Sequence, residues 1–222
     1  MKIDWLLFLP ALLLLFYPLD DWLRMRVCLR DYEYIRNTRL RSREAWWRQP
    51  WAWVDPLRAF VGAWMLRHAW EIELPLPALW RQGPLIGTLL VLGLAVIVQM
   101  HTRRHDEVLL APMGYCAGLV FALLRPEIAL LVVTLAGACM MAFRGWAAFF
   151  GCAAAGSAVF GYMLLHVNFW MLGTVGLMIE PLLFSWLLGR QMLLPVARWP
   201  EAETKVVMRK SAPPAGEPVR AR

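Results

Sequence analysis

Glu180 lies inside an apolar block that runs to Gly189, nine positions further on. A charged group at the middle of a bilayer costs about 2.5–3.5 kcal/mol on insertion scales, so an acid in such a place reads first as functional. Pro181 follows it and lacks an N–H, which leaves the Leu177 carbonyl without its helical donor. Gly173 and Gly176 precede Glu180 by seven and four positions, the spacing of a single helical face. A carboxyl beside a freed carbonyl, in a glycine-lined groove, has the chemistry to hold a cation or relay a proton. The plainer alternative is a protonated Glu180 bonded to a neighbouring helix, with Pro181 as a kink.

Other combinations carry less. His101 and His105 are spaced i, i+4, as metal ligands on one helical face often are. Arg103 and Arg104 stand between them, and Thr102 occupies the place of a zincin glutamate, so they are weak candidates for a metal. Ser157 and His166 are nine residues apart on one predicted helix, about 13 Å of rise, too far for a nucleophile and its base. No span holds the D-x-x-D cluster of phosphate-handling transferases. Cys28, Cys116, Cys139 and Cys152 form no C-x-x-C pair, and they read as packing residues. No nucleophile, base and stabiliser come together, so the sequence argues against an enzyme and implies no cofactor.

The elements that must position Glu180 are membrane helices. Hydrophobic residues make up 60% of the 222 positions, against roughly 45–50% in soluble domains. The excess is concentrated in blocks without a polar face, Trp5–Leu19 and then Pro84–Gly189. The expected fold is an all-α integral membrane protein, with a short N-terminal membrane segment (1–19) and about five transmembrane helices (84–189). Fifteen residues reach only about 22 Å, short of the ~30 Å hydrocarbon core, and no small-x-small site follows them, so the first block reads as a retained segment. The blocks of the bundle are Pro84–Met100, Val108–Leu124, Ile128–Phe143, Trp146–Leu165 and Asn168–Gly189. Small residues recur at four-residue spacing: Gly114 with Gly118, Gly151 with Ala155, and Gly156 with Cys152. Such faces let helices approach closely in lipid, either within the bundle or against a partner protein.

Residues 20–83 form an Arg/Trp-rich region. Trp22, Met25, Leu29 and Tyr32 make one helical stripe. Asp55-Pro56 reads as a helix start, opening a helix too charged to span, which predicts an amphipathic element in the interface plane. Trp46, Trp47, Trp51, Trp53, Trp64 and Trp70 are its expected interfacial anchors. The tail, 190–222, is basic and predicted to be disordered.

The net charge of +7 beside apolar spans suits anionic lipid headgroups, chiefly along 20–83, and not nucleic acid. With six crossings the basic residues divide 12 to 11 between the two sides. The positive-inside rule then fixes no orientation, although the first segment alone favours a cytoplasmic 20–83. The expected location is a bacterial inner membrane. The expected role is a non-enzymatic accessory or scaffold subunit of a larger membrane assembly, with a small transporter or ion-coupled permease using Glu180 as the alternative.

Overall fold

The computed structural model describes residues 2–17, 27–30, 51–71, 82–101, 109–166, 168–190 and 192–197. These are mostly helical, and four of the helices are long and apolar enough to span a membrane. Seven helices occur among them: α1 (Trp5–Phe16), α2 (Trp51–His68), α3 (Gly83–Met100), α4 (Met113–Leu123), α5 (Pro126–Phe143), α6 (Trp146–Leu165) and α7 (Phe169–Leu188). Short strands lie between and beyond them: β1 (Lys2–Ile3), β2 (Val27–Arg30), β3 (Trp70–Glu71), β4 (Leu109–Leu110) and β5 (Met192–Ala197).

Local chemistry sets most boundaries. Asp4 caps α1, its Oδ1 accepting the Leu6 N–H at 2.9 Å. Pro84 and Pro126 sit in the first turns of α3 and α5, where a missing N–H costs nothing. Asn168 caps α7 by accepting from Trp170 N at 3.1 Å. Gly189 ends that helix at φ 61°, the left-handed conformation glycine adopts freely. At the end of α5 it is Arg144, not Gly145, that takes the left-handed turn, at φ 55°.

Two expected elements change. The block Val108–Leu124 yields only eleven helical residues, because Pro112 stands at the N-cap of α4 and the chain before it is in β4. The long, apolar helices are therefore α3, α5, α6 and α7, and α1 and α4 are short. Of the stripe expected to be helical around Trp22–Tyr32, only 27–30 lie among the described residues, and they are a strand paired antiparallel with β5 from Val27↔Ala197 to Arg30↔Leu194. β5 in turn occupies the first part of the predicted tail and pairs parallel with β4. Residues 198–222 lie outside the described residues.

The helices alternate in direction. At one end, called the near end, β1 pairs with β3 through Lys2↔Glu71 and Ile3↔Trp70, and Asp4 N donates to Ala69 O at 2.8 Å. The start of α1 thus meets the end of α2. The start of α3 joins them there, since Trp70 Nε1 donates to Thr88 Oγ1 at 2.9 Å. At the far end, Gln99 of α3 donates to Leu15 O of α1 at 2.9 Å. Helix α4 runs parallel to α2: a Cβ built on Gly114 would meet Pro56 Cδ at 3.2 Å, and one on Gly118 would meet Ala59 Cβ at 3.0 Å. Helix α7 runs parallel to α3, with Leu89 against Gly173 and Gly93 against Glu180. Arg144 and Gly145 link α5 to α6, and α6 ends at Leu165 three residues before the Asn168 cap of α7. The three-stranded sheet, ordered β2-β5-β4, is built from segments that follow α1 and α7 and precede α4, so it closes the far end.

Helix α2 begins at Trp51, ahead of the expected start, with Pro56 in its interior. It is packed into the bundle. Ala59, Ala63 and Leu66 are fully buried against Ala11 and Leu15 of α1 and Cys116 and Leu119 of α4. Gly62 lets Leu15 approach closely, a Cβ there falling 2.9 Å from the Leu15 side chain. Its other face carries Trp53, Leu57 and Trp64, all exposed.

Candidate functional site

Glu180 occupies the seam between α3 and α7. Its carboxyl oxygens lie 3.4 Å from the position a Cβ on Gly93 would take, so the absence of a side chain on α3 makes room for the acid. One turn earlier on α3, Leu89 fills the notch left by Gly173 on α7. Gly173 and Glu180 therefore act on the same neighbouring helix, one receiving a knob and the other supplying one. Pro181 is buried. Gly176 is exposed, and a Cβ built there would meet nothing within 4 Å, so it is not part of that seam. Among the described residues no donor bonds the Glu180 carboxyl, and no cluster of three or more His, Cys, Asp or Glu gathers anywhere. A single carboxylate can exchange a proton, whereas a hard cation wants six or more oxygens.

The most elaborate polar arrangement lies elsewhere, at the far end, around Arg58 of α2. Its side chain is 9% exposed. Nε donates to Asp55 Oδ1 at 2.6 Å. Nη1 donates to the carbonyls of Leu14 (3.2 Å) and Tyr17. Nη2 donates to Gln99 Oε1 at 2.8 Å. The Gln99 amide then donates to Leu15 O, which also accepts the Tyr115 hydroxyl at 3.2 Å. The Tyr115 ring lies beneath the guanidinium, 5.2 Å from centroid to Cζ.

The carbonyls served here are those at the C-terminus of α1. The last four carbonyls of a helix have no intrahelical donor, and here those of Leu14 and Leu15 are met by the buried side chains of Arg58, Gln99 and Tyr115. A cation at that position also meets the negative end of the helix dipole. Arg67 does the same for the other short helix: Nη1 donates to Ala122 O at the C-terminus of α4 (3.5 Å), and its guanidinium lies 4.7 Å over the Trp170 ring. Arginine suits both positions because its planar fork offers five donors without losing charge.

The remaining candidates are dispersed. Gly114 and Gly118 face α2, and Gly156 packs on Val132 and Leu135 of α5. A Cβ built on Gly151 would lie 3.9 Å from Leu182 of α7, while Ala155 is exposed. Ser157 is fully buried and His166 exposed, which keeps them apart. His101 ends α3 and is exposed; His105 lies outside the described residues. Of the tryptophan anchors, Trp53 and Trp64 are exposed, and Trp70 bonds Thr88 and packs edge-on to Phe8. Trp51 begins α2, and Trp46 and Trp47 lie outside the described residues.

Sequence reasoning missed Arg58, Gln99 and Tyr115 as a group. The only signal was a pair of arginines in a helix whose other face is apolar and small, which composition alone assigns to a surface. No protein-family model matches the chain, and no curated protein or solved structure matches it either. The function is therefore argued from the arrangement itself.

Proposed function

We propose that the chain is a non-catalytic, multi-pass subunit of a larger membrane assembly, residing in a bacterial inner membrane. One observation carries this reading. Among the described residues, the buried side chains Arg58, Gln99 and Tyr115 bond to helix-end carbonyls and to one another across α1, α2, α3 and α4, Thr88 and Thr174 donate to a backbone oxygen of their own helix, and buried Ser157 takes no bond. Arg58, Gln99 and Tyr115 thereby hold helices together, and the other three are scattered over α3, α6 and α7. The exposed tryptophans fit a bilayer around such a body. Trp5 and Trp64 lie toward the near end and Trp53 and Trp186 toward the far end, as two aromatic belts would. Bilayer lipid is thus the first partner, and a membrane protein the second.

Glu180 supports a second reading, a small ion-coupled permease. Its carboxyl is half-buried at a helix seam and takes no bond among the described residues, although α7 runs through Pro181 without the expected break. One experiment separates the two. The wild type and Glu180→Gln are purified in mild detergent from native membranes, identified by mass spectrometry with whatever accompanies them, and reconstituted for proton and sodium flux. The subunit reading predicts the same stoichiometric membrane companions for both and no flux from either. A clean protein without companions, carrying a flux that Glu180→Gln abolishes while the fold survives, would overturn it in favour of the permease.

A further inference from the structure

Packing α2 into the bundle changes which segments share a side. Because α1 through α7 alternate in direction, the segments at 17–50, 101–112, 144–145 and 189–222 all leave from the far end. Those at 1–4, 69–82, 124–125 and 166–168 leave from the near end. The far-end segments hold eight, two, one and seven Lys or Arg; the near-end segments hold one, one, one and none. The other two of the 23 are Arg58 and Arg67, inside α2. The division is eighteen against three.

The near-even split of the six-crossing reading came from treating 20–83 as one segment on one side. With α2 returning through the bundle, 69–82 and Arg125 fall opposite 18–50, and the C-terminal tail joins the arginines of 18–50. We infer that the far end, where α1, α3, α5 and α7 finish, faces the cytoplasm, with its basic segments beside the anionic headgroups of that leaflet. Lys and Arg in short segments flanking membrane helices are retained on the cytoplasmic side. There the negative surface potential contributes about 1 kcal/mol per basic residue near the surface. The near end, with three basic residues against Asp4, Glu71, Glu73 and Glu127, suits the opposite face. This inference rests on the bundle being membrane-inserted and is independent of its role as subunit or permease.

The test uses the full-length chain with Cys28, Cys116, Cys139 and Cys152 replaced by alanine. Single cysteines are placed at Arg43→Cys and Arg209→Cys for the far end and Gln82→Cys and Glu127→Cys for the near end. Intact spheroplasts are treated with a membrane-impermeant maleimide before and after permeabilisation. The expected result is labelling of 82 and 127 in intact spheroplasts, and of 43 and 209 only after permeabilisation. Labelling of 43 and 82 from the same side would overturn the return of α2 through the bundle. A fully reversed pattern would overturn the orientation. Should the cysteine-free chain fail to accumulate, the wild-type sequence is fused after Arg222 to a fluorescent protein or to alkaline phosphatase. Fluorescence without phosphatase activity is expected, and the reverse would overturn the orientation.

Discussion

A guanidinium among packed helices survives only if its N–H groups find acceptors, since an unpaired buried donor or charge costs more than the bond it replaces. Arg58 meets that condition through Asp55, Gln99 and the carbonyls of Leu14 and Tyr17. Arg58→Leu would leave those acceptors and the Asp55 carboxylate without their donor, an expected loss of about 3–5 kcal/mol. Arg58→Lys keeps the charge but cannot reproduce the fork, so it should recover only part of that loss. Thermal unfolding in detergent should rank wild type above Arg58→Lys and Arg58→Lys above Arg58→Leu. Equal melting temperatures would mean the network does not hold α1. Glu180 presents a different situation. Its seam with Gly93 is a packing relation, and its carboxyl is not tied down by any described donor.

Among the elements, the decisive one is α2. Its charge at Asp55, Arg58 and Arg67 suggests a helix lying on the membrane surface, and the residues that bring it inside are small ones: Ala59, Gly62 and Ala63 on α2, and Gly114 and Gly118 on α4. Gly118 is the tightest of these, a Cβ there pressing on the Pro56 carbonyl and on Ala59. Gly118→Leu should therefore force α4 away from α2 and destabilise the fold by about 3 kcal/mol, at the upper end for overpacking. Gly137→Leu on α5, where an added Cβ meets nothing within 4 Å, should not destabilise the fold and should gain about 0.5–1 kcal/mol from better helix propensity. Size-exclusion profiles and melting temperatures of the two variants check the contrast, and equal effects would contradict the packing. The sequence revealed α3, α5, α6 and α7 because length and unbroken apolarity suffice for them. It also held Pro112, which cuts the α4 block short, but continuous hydropathy masks a single proline. What could not be read was α2, because its place depends on which distant carbonyls its arginines reach. Gln99 and Tyr115 were hidden for the same reason. Each is an ordinary residue until its partner 84 or 100 positions away is known.

At the scale of the molecule, the unusual feature is a bundle that combines, among the described residues, four long apolar helices with two short ones and one charged one. Helices α1 and α4 are short, and the charged helix supplies donors to carbonyls at their C-termini through Arg58 and Arg67. The same helix sets the parity of the chain, and with it the gathering of basic residues at one end. Both consequences depend on α2 returning beside α1 from the far end to the near end. The most direct test is a disulfide between Lys2→Cys and Glu71→Cys, which face each other as Cα partners across β1 and β3. Opposed residues in an antiparallel pair sit ~4.5–5.5 Å apart at Cα, within disulfide reach. The double variant, in a background free of native cysteine, is oxidised in native membranes and the linked peptides are read by mass spectrometry. We predict efficient linkage of 2 to 71 and none in a control pair joining Lys2→Cys to Arg43→Cys. Linkage of 2 to 43, or none at 71 with both thiols accessible, would contradict the hairpin and the architecture built on it.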